Sequence, residues 1–168
     1  MDKGAPDVIV AFGFTKEGEG NRHLASYAAY LSKQFSVPIF TQKDVARCFA
    51  NSDYHLERTG QSVLVAEEWD TYLSTLGIAT ALKREAGSRN WRRVAVVAAP
   101  CHEWRCIRDL RKMGFKVIKT DDYLRRAYWF HFWYNRKDPQ LWVHGPLIWW
   151  LREIPLRLLP WNLYSRLT

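Results

Sequence analysis

RRVAVVAAPCHEWRCIRDLRKMGFKVIK, residues Arg92 to Lys119, is the stretch that decides the fold. Val94 to Ala99 is an unbroken apolar run rich in β-branched residues, which is how a strand buried on both faces reads. Pro100 stops that strand. Glu103 to Met113 then sets Trp104, Ile107, Leu110 and Met113 at helical spacing, with Arg105, Arg108, Arg111 and Lys112 on other faces. Gly114 stands where a helix C′ residue would, and Phe115 to Ile118 supplies a second strand. Strand, helix and strand in this order predict a right-handed, parallel βαβ unit. Open parallel sheets collect their ligands beyond the carboxyl ends of the strands. Cys101, His102 and Arg105 sit at such an end.

The rest of the chain repeats the alternation. Asp7 to Phe12 reads as a first buried strand, followed by the glycine-bearing loop Gly13 to Asn21 and an amphipathic helix over His23 to Gln34. Val37 to Thr41 is a second strand. Asp44 to Phe49 is a short helix, Asn51 to Gly60 a loop, and Ser62 to Ala66 a third strand. Thr71 to Ala86 has a helical pattern, with Asp70 or Thr71 as the expected N-cap and Gly87 as the expected stop. Alternation of this kind predicts an α/β sandwich with a mainly parallel sheet.

After Thr120 the character changes. Seven of the nine Trp lie beyond residue 100, and Pro146, Pro155 and Pro160 are expected to break the tail into short pieces. Residues 1–120 are therefore read as an α/β domain and 121–168 as an aromatic extension packed on it or on a partner. Three readings of this tail stand side by side: extra core over the sheet, a homo-oligomer contact, or a contact with a membrane surface. The net charge of +8 suggests an anionic partner, although a solvated basic face reads the same way. No nucleic-acid-binding module is recognisable. The three cysteines form no disulfide framework or zinc spacing and fit a reducing compartment. No stretch is apolar enough to span a bilayer and no signal region opens the chain. Together these point to a cytoplasmic protein, with association at a membrane surface left open.

Several motifs occur in a telling order. DVIVAFG precedes a helix introduced by Asn21 and Arg22; Glu68-x-x-Thr71-x-x-Ser74-x-x-Gly77 follows; then come His102-x-x-Arg105 after a strand and Gly114-x-x-Val117. This order resembles the YdcF-like family, which includes SanA- and ElyC-like bacterial envelope proteins. Gly77 stands where that family carries Asn, and the family's glycine-rich turns are reduced here to Gly13-Phe14-Thr15 and Thr41-Gln42-Lys43. The resemblance implies a Rossmann-like three-layer sandwich and a nucleotide-like ligand, S-adenosylmethionine in one branch. It places Gly13, Arg22, Glu68, Thr71 and Ser74 as ligand-binding residues beside His102 and Arg105.

His102 and Arg105 are three residues apart and so share a helix face near its N-terminus, where an anion is favoured. Arg105 offers a planar, permanently charged fork, and His102 an acid or base near neutral pH. The plainer reading is a capped helix start whose arginine pairs with a surface carboxylate. Cys101 as an acidified thiol competes with Cys101 as buried filler, which we favour, and no metal set is expected. Two functions follow. In the first, an anionic small molecule is held at the strand ends; if catalysis occurs it is hydrolysis or transfer at a phosphate group, with His102 as acid or base and Arg105 steadying charge. In the second, a non-catalytic module docks through its tail.

Overall fold

The computed structural model describes residues 4–16, 19–50, 62–66, 73–118, 120, 123–127 and 130–167. Five strands form one all-parallel sheet in the order β3-β2-β1-β4-β5, with β1 Val8–Ala11, β2 Ile39–Thr41, β3 Val63–Val65, β4 Arg93–Val97 and β5 Lys116–Ile118. Four helices connect them: α1 Glu19–Phe35, α2 Lys43–Ala50, α3 Thr75–Arg89 and α4 Pro100–Lys112. The chain builds outward from β1 to β3, then returns to lay β4 on the other side of β1. Right-handed crossovers running in opposite directions put their helices on opposite faces. Accordingly Ile9 and Ala11 pack with Leu24, Ala28 and Val45 of α1 and α2, while Val8 and Val10 pack with Ile78, Leu82, Cys106 and Leu110 of α3 and α4. The protein is a Rossmann-like three-layer α/β sandwich, and its order reverses between β1 and β4.

The helix ends depart from the sequence expectation in ways that matter for the site. Ser74, not Asp70 or Thr71, is the N-cap of α3: its backbone is extended and its Oγ accepts from the Gly77 N–H at 3.1 Å. Gly87 does not stop that helix. It continues to Arg89, and Asn90 takes the left-handed cap at φ 56°, a conformation Asn tolerates. Helix α4 starts earlier than the pattern Glu103 to Met113 indicates, because Pro100 is pre-set for the first helical position. Its buried face is also different: Cys101, His102, Arg105, Cys106, Asp109 and Leu110 point inward, while Trp104 is about half exposed. Gly114, at φ 92°, ends the turn after α4 in a conformation that favours glycine.

Leu110, Ile107 and Met113 of the expected stripe do pack on the core; the reason the buried face widens to take in His102, Arg105 and Asp109 is the C-terminal tail. Beyond β5 come a short helix α5 (Tyr123–Ala127), two 3₁₀ turns (Phe130–Trp133 and Leu141–Val143), α6 (Pro146–Leu158) and α7 (Trp161–Leu167). Pro146 initiates α6 and Pro160 separates it from α7, but Pro155 lies inside α6 without breaking it. Position 155 is exposed, so water can serve the carbonyl that proline leaves without its N–H partner. Trp133, Val143 and Trp149 join the core cluster of α1. Tyr164 Oη donates to Asp109 Oδ2 at 2.6 Å, and Arg108 donates to the Leu156 carbonyl at 3.1 Å. The tail thus packs over one face of the sheet and is bonded to α4.

Trp149→Ala should cost ~3–5 kcal/mol in urea denaturation, the usual range for emptying a buried Trp site. Truncation after His144 also removes Glu153 and Tyr164, and breaking a buried ion pair adds about 3–5 kcal/mol. Together these approach the whole stability of a typical domain, about 5–15 kcal/mol. The truncated chain should therefore show no cooperative melt by circular dichroism; a full-length-like melt would make the tail an appendage.

Candidate functional site

Where β1 and β4 send their connections to opposite faces, a crevice opens at their carboxyl ends. It contains a cavity of about 50 Å³. Space of that kind holds a water per ~10–15 Å³, so the cavity accepts a few waters or one small oxyanion. Its floor is the turn after β1, Phe12 to Phe14; its walls are Gln42 after β2, Ser74, Thr75 and Ile78 of α3, and His102 and Arg105 of α4. The tail roofs it with Gln140, Trp142, Trp149, Arg152 and Tyr164.

A Cβ on Gly13 would lie 2.5 Å from Gln42 Nε2 and 2.9 Å from its Cδ, so a larger residue there would have to displace the end of the Gln42 side chain. The same turn is fixed by buried Asn21, whose Oδ1 accepts from Phe14 N–H at 3.1 Å and whose Nδ2 donates to the Thr15 carbonyl at 2.6 Å. The tail clamps it as well: Lys16 N–H donates to Asp138 Oδ2 at 2.8 Å.

His102 and Arg105 do meet at the cavity, and much of what they offer is taken up within the protein. An Arg105 Nη2 lies 3.2 Å from His102 Nδ1. A guanidinium can only donate, so Nδ1 accepts. The ring proton then sits on Nε2, which donates to Thr75 Oγ1 at 3.1 Å. Burial, then the charges of Arg105, Arg152 and Arg157, hold the imidazole well below its ordinary pKa of 6.5. It is neutral, with both nitrogens engaged. Arg105 Nη1 lies 3.3 Å from Glu153 Oε2, close enough for an ion pair but not aligned as a hydrogen bond. Arg157 Nε approaches Glu153 Oε1 at the same distance, 3.3 Å.

Two donors remain. Arg105 Nε and Trp149 Nε1 are buried and have no hydrogen-bond partner among the described residues. Both residues line the cavity, Arg105 at 4% exposure and Trp149 at 2%. Three guanidiniums, of Arg105, Arg152 and Arg157, act on His102, and Glu153 pairs with two of them. The helix N-terminus contributes less than its position suggests, because the His102 and Glu103 amides both bond the Ala99 carbonyl, at 2.8 and 2.9 Å. Cys101 is no nucleophile here: burial pushes its thiol up to about 12.

Of the residues singled out from sequence, Gly13, Ser74, His102 and Arg105 come together at the cavity. Arg22 is on the exposed side of α1 and does not line it. Glu68 and Thr71 lie outside the described residues. Thr75, Gln42, Trp149 and Glu153 carry no local signal in the sequence; only the fold brings them here. Among the described residues, no group of three or more His, Cys, Asp or Glu could hold a metal ion.

A neutral buried histidine makes stability depend on pH with a definite sign. Above its unfolded value of 6.5 its contribution is fully present. Below that value the unfolded chain takes up a proton that the folded ring refuses, so stability falls toward the folded pKa by up to ~1.4 kcal/mol per pH unit. His102→Gln can accept from Arg105 and donate to Thr75 without titrating. Urea midpoints between pH 7.5 and 5 should drop more steeply for wild type than for this variant; parallel profiles would mean the ring is not held neutral. Comparison with known proteins gave no matching family model, curated relative or solved structure.

Proposed function

We propose that this protein binds a small molecule through an oxyanion group, such as phosphate, sulfate or carboxylate, seated between Arg105 and Trp149. The observation that carries the reading is a pair of buried, unpartnered N–H donors, Arg105 Nε and Trp149 Nε1, on two residues that both line the cavity. Buried donors without acceptors cost about 1–3 kcal/mol each, and two of them on residues lining one hollow call for an acceptor. The surplus of guanidinium over carboxylate makes that acceptor an anion. Ser74 and Gln42 add a hydroxyl and an amide to the lining. His102 acts as a positioning residue: its Nδ1 holds the Arg105 fork and its Nε2–H is anchored on Thr75. The reading is therefore a binding site, with no proton-transfer step assigned to His102.

The test is thermal unfolding with inorganic phosphate, sulfate or acetate against chloride at matched ionic strength. An anion at a hundred times its Kd stabilises by about 2.7 kcal/mol, or ~5–10 °C for a chain of this size. Trp149→Phe removes an N–H that is unpartnered without ligand, and Arg105→Lys keeps a charge opposite Glu153 while removing Nε. Both variants should fold and lose the anion response. A response undiminished in both, or none in wild type at 50 mM of each anion (on the order of 100-fold above a tight site's Kd), rules the reading out.

A further inference from the structure

Helix α6 buries one face and leaves an apolar one exposed. Its inward face carries Trp149 and Glu153, both buried. At 100° per residue, Leu147, Leu151, Ile154 and Leu158 fall within one narrow stripe on the opposite side, and they are 73%, 68%, 50% and 79% exposed. A stripe this exposed marks an interaction surface. We infer that α6 docks this stripe, lying in plane, on the surface of an anionic lipid bilayer.

The charges beside the stripe identify the occupant. From Pro139 to Thr168 the only acidic residue is Glu153, which is buried against Arg105 and Arg157. The same segment carries Arg152, Arg157 and Arg166. By helical angle Trp150 and Arg157 border the stripe on one side, about 40–60° beyond Ile154, while Arg152 lies about 100° beyond Leu151 on the other, toward the cavity it lines. The guanidinium carbons of Arg157 and Arg152 lie 4.7 Å and 4.4 Å from the ring centres of Trp150 and Trp142. Aliphatic stripe, indole and cation in sequence across a helix match the acyl chains, interface and headgroups of a bilayer leaflet. A second copy of this chain fits less well, because pairing two stripes would bring arginines against arginines with no exposed carboxylate in the segment to separate them. Crossing the bilayer is excluded for α6 by length: its 13 residues extend ~20 Å against a hydrocarbon core of about 30 Å.

Co-sedimentation of the full chain with phosphatidylcholine vesicles, with and without about 30% phosphatidylglycerol, tests this, with indole fluorescence read in parallel. Binding should require the anionic lipid, shift tryptophan emission to the blue, and weaken at least tenfold in 0.5 M salt, as a screened electrostatic contribution must. Leu151→Glu with Ile154→Glu should abolish it with the melting temperature unchanged, since both side chains are exposed; the milder Leu147→Ser with Leu158→Ser should weaken it. Absence of binding, equal binding to neutral vesicles, or a concentration-dependent dimer that the glutamate variant dissociates would each overturn the inference.

Discussion

The contact on which the rest depends is the buried ion pair between Arg105 of α4 and Glu153 of α6, at 3.3 Å. A guanidinium inside a protein is tolerable only with a counter-charge, because its desolvation costs several kcal/mol. Asp109 of α4 feels the Arg105 charge but is engaged directly by Arg108 and Tyr164. The carboxylate has to come from elsewhere, and Glu153 provides it from 48 residues downstream by the sequence numbering. Such a pair contributes little net stability compared with a hydrophobic replacement, yet it tolerates few alternative arrangements. Arg105 and Glu153 therefore fix where α6 lies more than they fix how firmly.

That placement follows through to the cavity. The reversal of strand order between β1 and β4 leaves a crevice whatever the side chains are. In this protein the tail covers it, with Trp149 tilted against Phe14 at 4.7 Å between ring centres and edge-on to His102 at 5.4 Å. The crevice is reduced to a small hollow whose remaining polar atoms are chiefly donors. Two indoles over a site rich in cations lower the local dielectric and raise the electrostatic value of any anion that enters.

Strand alternation and the βαβ unit at Arg92 to Lys119 are legible in the sequence because each is a local pattern: Val94 to Val97 reads as a buried strand, and Gly114 as a turn, without reference to anything distant. The face of α4 is not. Of the apolar stripe Trp104, Ile107, Leu110 and Met113, all but Trp104 pack on the core, and the buried side also bears His102, Arg105 and Asp109, which no apolar pattern marks. Those residues can be inward only because Thr75, Glu153 and Tyr164 meet them, and pairings across 27 to 55 residues leave no periodic trace. Pro155 misleads for a related reason. Its helix-breaking tendency is local, but its tolerance depends on which face of α6 looks outward. At the site, His102 and Arg105 are legible from strand-end position, while Thr75 and Trp149 depend wholly on the fold.

The direction of one hydrogen bond distinguishes binding from acid–base chemistry at this site. Because Arg105 can only donate, His102 Nδ1 must accept, and the ring keeps its single proton on Nε2 toward Thr75. A second proton would have to displace Arg105 and would place a fourth positive charge among Arg105, Arg152 and Arg157, which already oppose it. Withdrawing the Nε2 proton would create an anion in a buried ring. Both routes are opposed while Arg105 is held, which supports the proposal that the imidazole orients the guanidinium. What the arrangement can offer a ligand is positive charge and N–H groups held in place beforehand, and that favours an anion bound rather than a proton moved.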